Sequence, residues 1–427
     1  VAHMGDGGSV MAGNEDTRRQ NLSALLTSLH RDGPRSRAEL TRLLGLNRST
    51  VSALVGELTA LGLAYETAPA ESGGVGRPSP IVHADDRVSI IAVNPDLDAV
   101  TVALVGLGGV VHERERVATS GIPTAREAVD LARAAAERMR AAAGTRYRVV
   151  AVGAAVPGLV RVDDGTVVLA PHLGWRDEPF AAMLTEATGL PAVAANDANL
   201  ALLAECSRGA GQGLRDVVYL NGSPSGIGGG VLVGGAPLVG TQGFGAELGH
   251  TLVDRDGLAC DCGRVGCLET EVHLSRLLAV LGRDSIDSDE LDRLLTGPRE
   301  PAVDAEVDRQ IGVLVAALAG LVSVFNPERI VLGGFLGSLF DAHPDLIREG
   351  VPAAAFRPLA EGLTIERARL RSRVLLVGAA EAAFRRLLDD PAGAGAGAPT
   401  RLGPRFARPQ PDLSPPARRP PEWPASR

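Results

Sequence analysis

Lysine is absent from this chain: all 43 basic residues are arginine. That excludes every function needing a lysine amine, from Schiff-base and pyridoxal chemistry to the lysine of a Walker-type phosphate loop. We read the all-arginine set as the mark of a GC-biased gene, not as a functional device. Positive charge is also outweighed. The formal net charge is −8, which argues against a protein that coats nucleic acid over its whole surface. Any DNA contact must be local. Long apolar runs are missing too. None reaches the roughly 18 residues that span a bilayer, the nearest, 311–325, reads as a buried helix, and no secretory signal precedes the first polar residues. These features predict a cytoplasmic protein with no membrane partner. At 427 residues, 45% apolar and 22% charged, the chain has the composition of a globular protein of two or three domains.

Cysteine is scarce, and its placement is informative. Three of the four cysteines, Cys260, Cys262 and Cys267, fall in the run C-D-C-G-R-V-G-C-L-E at 260–269. His250 closes the run G-F-G-A-E-L-G-H at 243–250. Three thiolates and an imidazole are the ligand set of a closed tetrahedral zinc site. Gly263 and Gly266 allow the tight backbone such convergence needs. One structural Zn2+ per chain is therefore expected, held by His250, Cys260, Cys262 and Cys267. The plainer alternatives are an exposed reduced cluster or a disulfide. Thiolate ligands also point to the reducing cytoplasm. The leftover Cys206 reads as a small core residue of a helix.

Four segments follow along the chain. Residues 1–15 are Gly-rich and polar, and are expected to be disordered. Residues 16–83 read as a compact helical module. Residues 84–390 alternate strand and helix patterns. Residues 391–427 are rich in Pro, Ala, Gly and Arg, and lack the large apolar residues needed to fold.

In the helical module, Leu22, Leu25, Leu26 and Leu29 recur at helical spacing. Ser36 and Glu39 form a capping-box pattern before a second helix. Asn47 is a good N-cap for a third that buries Val51, Leu54, Val55 and Leu58. The Gly45 turn between the last two gives a helix-turn-helix. Arg48, Ser49, Thr50 and Ser52 lie off the apolar stripe at the third helix's N-terminal end, where a recognition helix meets bases and phosphates. Two short strand patterns then flank a Gly-rich tip, a wing, with Arg77 placed to enter a minor groove. The bland alternative is a small helical protein-interaction domain.

E-L-G-H followed by C-x-C-G-x-x-G-C-L-E resembles the signature of the ROK family (repressors, open reading frames and sugar kinases). The resemblance extends from about residue 88 to 388. It implies an α/β body of the actin-like, sugar kinase (ribonuclease H-like) fold in two lobes. Many ROK repressors resemble the N-terminal arrangement as well, with a winged helix-turn-helix and a G-R-P segment at the wing. The resemblance assigns zinc to the same His250 and three cysteines. It implies sugar contacts from Asn196, Asp197, Glu247, His250 and Glu269. Asp197 matches the general base of the N-D-A-N motif, here at 196–199, although an Asn at that place also reads as a simple N-cap.

One position departs from the family's kinases. Their first hairpin carries D-x-G-x-T, which wraps ATP phosphates; here the turn reads N-P-D-L-D at 94–98. Pro95 removes an amide donor, and Asp96 and Asp98 put negative charge where phosphates would sit. Asp197 becomes a vestigial base position. The sequence thus predicts a sugar-responsive DNA-binding regulator, a repressor of carbohydrate metabolism genes, with no catalytic residue. Its partners would be a double-stranded operator and a sugar or sugar phosphate, and it would act as a homodimer or homotetramer. The alternatives are a bifunctional ATP-dependent sugar kinase with a DNA-binding head, and a zinc- or redox-responsive regulator.

Overall fold

A computed structural model describes residues 7–68 and 79–393, with side chains from residue 15 onward. Arg77, most of the Gly-rich wing tip and the tail from residue 394 lie outside the described residues.

Helix α1 (Gly7–Asp32) buries the four leucines that the spacing picks out. It begins at Gly7, ahead of the expected start of the helical module at residue 16, so part of the stretch expected to be disordered is helical. No proline interrupts residues 7–17, and extending an existing helix needs no new nucleus. After β1 (Arg35–Ser36), helix α2 (Arg37–Leu44) opens with the Ser36–Glu39 capping box and ends at Gly45, which adopts a left-handed φ of 63°. The chain turns there into α3 (Arg48–Ala60), capped by the Asn47 side chain accepting from the Thr50 amide. Strands β2 (Ala64–Thr67) and β3 (Ile81–Ala84) pair antiparallel, with β1 on the far side of β3. Three helices and this small sheet make a winged helix-turn-helix.

The body starts with β4 (Val88–Pro95), β5 (Ala99–Gly106) and β6 (Val111–Ala118), then α4 (Ala125–Ala143) and β7 (Arg148–Val156). A small sheet of β8 (Leu159–Val160), β9 (Val167–Ala170) and β10 (Trp175–Glu178) precedes α5 (Phe180–Thr188), β11 (Ala192–Asn196) and α6 (Asp197–Arg208). The second lobe contains β12 (Val217–Ser223), β13 (Gly226–Val233), β14 (Ala236–Pro237), α7 (Leu268–Glu271), α8 (Leu274–Leu281), α9 (Ser288–Thr296) and α10 (Pro301–Phe325). It closes with β15 (Arg329–Gly333), α11 (Gly334–Ala342), α12 (Pro344–Ala354) and β16 (Thr364–Arg367). Helix α13 (Val374–Asp389) returns to the first lobe, against β4 and β7.

The two large sheets repeat one topology. The first is ordered β6-β5-β4-β7-β11 and the second β14-β13-β12-β15-β16. In each, the first three strands in sequence are antiparallel and the next two add in parallel on the other side of the first. This is the duplicated ribonuclease H-like arrangement that the family resemblance implied. Helix α10 is long and apolar enough to cross a membrane, but it buries Val307, Ile311, Leu314, Leu318 and Val322 in the second lobe's core.

The head does not have a core of its own. One apolar cluster runs from Leu22, Leu54 and Leu58 through Val88 and Ile90 to Phe384 and Leu387 of α13. The boundary near residue 84 therefore separates folds in sequence without separating their packing. Close approach within the body relies on glycine. A Cβ on Gly153 of β7 would sit 2.1 Å from the Ala379 carbonyl oxygen of α13. Gly153→Ala is thus expected to cost about 1–3 kcal/mol, the usual range for overpacking. Gly312→Ala, at an α10 position with nothing within 4 Å, should stabilise by about 0.5–1 kcal/mol. Denaturant titration of both variants checks the pair; equal effects would contradict the packing.

Candidate functional site

The knuckle at 250–269 is built by short backbone bridges. Leu252 pairs with Cys267 and Ala259 with Val265. The Cys260 amide donates to the Arg264 carbonyl at 2.8 Å, and Gly263 N to Cys260 O at 2.9 Å. Gly266 has φ 73°, and a Cβ there would lie 1.4 Å from the Asp254 carbonyl oxygen, so no other residue fits. Gly249 of E-L-G-H is similarly constrained, by the Ile227 carbonyl at 1.9 Å. His250 ends a 3-10 turn, and Cys267 sits at the N-terminal boundary of α7.

This backbone brings the four expected ligands together. One ligand atom from each of His250, Cys260, Cys262 and Cys267 lies within 4.8 Å of the others. The Cys262 and Cys267 sulfurs are 3.6 Å apart, and Cys260 Sγ is 3.6 Å from His250 Nδ1. A disulfide would need about 2.05 Å, whereas Zn–S bonds near ~2.3 Å set tetrahedral S···S edges of about 3.8 Å. All four cysteines of the chain are free thiols here. The donor set and spacing fit zinc. Arg264 supplies countercharge: its guanidinium donates to the His250 carbonyl at 2.6 Å, and its hydrogen bonding pulls the Cys262 thiol below its usual range. Sequence reasoning missed that role, although Arg264 is the only cation between the cysteines. Cys206 is half-buried against an apolar cluster of α6, and desolvation raises its thiol to about 12.

The carboxylates expected to meet a sugar cluster around this knuckle. Glu269 Oε1 lies 3.1 Å from His250 Nδ1 and 3.0 Å from Cys260 Sγ. Its Oε2 occupies space that a side chain at Gly226 would need, 2.6 Å from the Cβ position. Glu247 starts the His250 turn, and its pKa is raised, first by desolvation and then by Glu269, against the pull of His250. Asp197 is the first residue of α6, where its Oδ1 accepts from the Ala198 amide. Burial raises it to about 7, with Glu247 and Asp96 adding to the shift. Carboxylates of both lobes therefore act on one another here. Such a group gains from neutral hydroxyl donors and resists further anions.

Asn196 is placed differently from the simplest expectation. Its Oδ1 caps α6 by accepting from Asn199 N at 2.9 Å, and its Nδ2 donates to Gly158 O at 3.0 Å. These bonds fix the start of α6, where Asp197 stands. In the first hairpin turn, Asp96 adds to the raised pKa of Asp197, whereas Asp98 pairs with Arg116 at 2.6 Å on the exposed surface. Asn94 turns to β7, donating to the Ala155 carbonyl at 3.0 Å. The Gly-rich run at 226–230 lies in strand β13, where Gly228 and Gly230 let α6 approach through Ala198 and Leu202.

In the head, Arg48 and Ser49 are exposed and Thr50 and Ser52 half-buried. The Ser49 and Thr50 hydroxyls both donate to Asn47 Oδ1, at 2.7 and 2.9 Å. Ser52 accepts from Arg37, which also pairs with Glu66 of the wing. Sequence spacing marks these residues as off the apolar stripe but does not reveal that three of the four hydroxyl or guanidinium groups stay within the protein: of the four, Arg48 alone has no partner among the described bonds.

A duplicated sugar-kinase-like body, a Cys3His knuckle and a winged head define a class of DNA-binding proteins built on a sugar kinase scaffold. The chain belongs to the ROK family, whose sequence pattern matches residues 91–385. The xylose repressor of Caldicellulosiruptor bescii is 28% identical over 368 residues, spanning 80% of this chain and 90% of that one. A solved ROK family transcriptional regulator, a homolog of the E. coli Mlc protein, superposes over 87% of this chain and 96% of its own, at 24% identity and TM-score 0.70. A Streptomyces griseus ROK glucokinase, solved with glucose and AMPPNP, covers 69% of this chain and 99% of its own, at 30% identity and TM-score 0.58.

Two outcomes test the site. Purified protein should carry about one zinc per chain, and Cys262→Ser should lose it; metal analysis of both decides. For Asp197, the folded pKa of about 7 exceeds the unfolded value near ~3.9. The folded state thus holds the proton more tightly, and stability is lost as pH rises through that interval. Asp197→Asn should melt above the wild type at pH 8, with the gap narrowing toward pH 5. A constant gap would contradict the raised pKa.

Proposed function

We propose that this protein is a sugar-responsive DNA-binding transcriptional regulator, a repressor of carbohydrate metabolism genes, that binds a sugar without phosphorylating it. One observation carries the reading. The body keeps the carboxylates assigned to the sugar, while the turn that would hold ATP phosphates carries Pro95 and Asp96, whose charge adds to the raised pKa of Asp197. Phosphoryl transfer depends on positioning and on cations that neutralise charge developing on the phosphoryl group. A carboxylate placed there opposes both. The same carboxylates favour a neutral sugar over a sugar phosphate. The xylose repressor relative supports a pentose or a related monosaccharide. The His250 Nδ1 side faces the cysteines, which leaves Nε2 as the ring nitrogen for a hydroxyl. Zinc would fix that imidazole and the neighbouring Glu269.

The winged head supports operator binding by a symmetric dimer or tetramer on an inverted repeat. Arg48, at the exposed start of α3, is the residue we assign to base or phosphate contact, with Arg77 of the wing in the minor groove. Ser49, Thr50 and Ser52 set the helix's start and its tie to Arg37. This activity belongs in the cytoplasm, with the chromosome. The glucokinase neighbour keeps a bifunctional kinase as the competing reading.

Both readings can be separated directly. A coupled assay with ATP and D-xylose or D-glucose is expected to give no turnover; rates on the order of 1 s⁻¹ would establish the kinase instead. An operator selected by the protein from a random duplex pool should bind Arg48→Ala about tenfold more weakly, roughly 1–3 kcal/mol, with steep salt dependence. Undiminished binding would remove α3 as the reading element.

A further inference from the structure

The head meets the body at a buried polar contact that neither DNA reading nor sugar binding uses. His30, near the end of α1, is fully buried. Its Nδ1 accepts from the Gly108 amide at 3.0 Å, in the turn between β5 and β6. A backbone amide can only donate, so the ring proton is on Nε2, which donates to Glu381 Oε1 of α13 at 3.1 Å. His30 is neutral in this arrangement, in keeping with the burial that lowers its pKa. Arg208, the last residue of α6, donates through Nε to the same Glu381 oxygen at 2.9 Å and through Nη2 to the His30 carbonyl at 2.6 Å. That carbonyl is one of the unpaired acceptors at the end of α1. Gly109 makes room: a Cβ there would be 2.3 Å from Arg208 Nε. Three pieces of the body thus converge on one residue of the head.

Two of those pieces lead back to the sugar site. Helix α6 starts at Asp197 and ends at Arg208, a span of about 17 Å at 1.5 Å per residue. It has no slack along its length. Gly378 of α13 lies against it, where a Cβ would meet the Leu200 carbonyl at 2.2 Å, and Gly228 and Gly230 close the other side. The buried Glu205 carboxylate accepts from Ala210, Arg369 and Leu370 amides, tying the end of α6 to the segment entering α13. Strand β5 makes the second route: one end adjoins the Asp96 turn, the other the Gly108 turn that holds His30.

We infer that Arg208, with Glu381 and His30, is the contact through which the sugar site sets the orientation of the DNA-binding head. The inference rests on the proposed reading of Asp197 as a sugar contact and α3 as a DNA contact. Hydroxyls meeting Asp197 act on the first turn of α6. The helix passes that displacement to Arg208 as one body. Withdrawing Arg208 would leave Glu381 buried with only a neutral imidazole donor, which is costly. The contact therefore favours two discrete arrangements over a graded slide. Arg208 is a positioning residue: it touches neither sugar nor DNA.

The test uses full-length protein, the operator selected by the wild type and D-xylose as the probe sugar. Calorimetry measures sugar affinity, and fluorescence anisotropy measures operator affinity with and without saturating sugar. Arg208→Gln should keep sugar affinity within about threefold, while the wild-type sugar-induced change in operator affinity, expected to be tenfold or more, shrinks below twofold. Arg19→Gln, which breaks an exposed pair with Asp390 at 3.6 Å, should keep the full change. An undiminished change in Arg208→Gln overturns this inference alone. No change in the wild type, with a sugar that binds, overturns the regulatory reading along with it. Should Arg208→Gln not fold, hydrogen exchange on the wild type decides: sugar should alter exchange of the Gly108 amide and the end of α1, and unchanged exchange there overturns the contact.

Discussion

Helix α6 has no room to move alone, and most of the structure follows from that constraint. Bare backbone meets it on both sides, at β13 and at α13. A methyl group at Gly378 or Gly228 would collide with it, so any displacement of α6 is shared by the second lobe's sheet and the C-terminal helix. Packed interiors transmit strain because they have few voids to absorb it. The chain places Asp197 at the start of this helix and an arginine that grips the head at the end. Because the head's leucines share one core with α13, the head cannot tilt without disturbing the surface on which α13 rests.

The metal knuckle and the carboxylates depend on each other in a similar way. Asp197, Glu247 and Glu269 lie close enough to act on one another, and burial first, with that repulsion added, raises the pKa values of Asp197 and Glu247. A loop without internal support would relax by turning them outward. The bridges at Leu252 and Ala259, the glycines at 249 and 266 and the convergent cysteines hold the loop closed instead. The site is a strained arrangement maintained by rigid surroundings, which is how binding sites retain affinity at the expense of stability.

Much of this was legible from residues alone. Capping chemistry located α2 and α3, because Ser36, Glu39 and Asn47 act within one turn and depend on nothing distant. The cysteine spacing gave the metal cluster for the same reason. What could not be read arises from contacts between residues far apart in sequence. Asn196 marks its own cap, but its bond to Gly158 requires the tertiary fold. Asp98 looks like a free repelling charge until β6 brings Arg116 beside it. His30, Arg208 and Glu381 carry no local signal at all, since they lie 178 and 173 residues apart along the chain.

The altered hairpin turn also explains why a kinase scaffold suits a regulator. A kinase gains rate only from interactions stronger in the transition state than with bound substrate, and its sugar contacts serve that end. In the proposed regulator, which binds a sugar without phosphorylating it, sugar binding energy has no transition state to stabilise. It becomes available to bias one arrangement of the protein over another, by as much as the sugar's affinity differs between them. The same hairpin connects, through β5, to the Gly108 turn that holds His30. The route from ligand to head therefore needed no new element. In the proposed reading it runs along existing strands and helices, from the sugar site to the docked DNA-binding head.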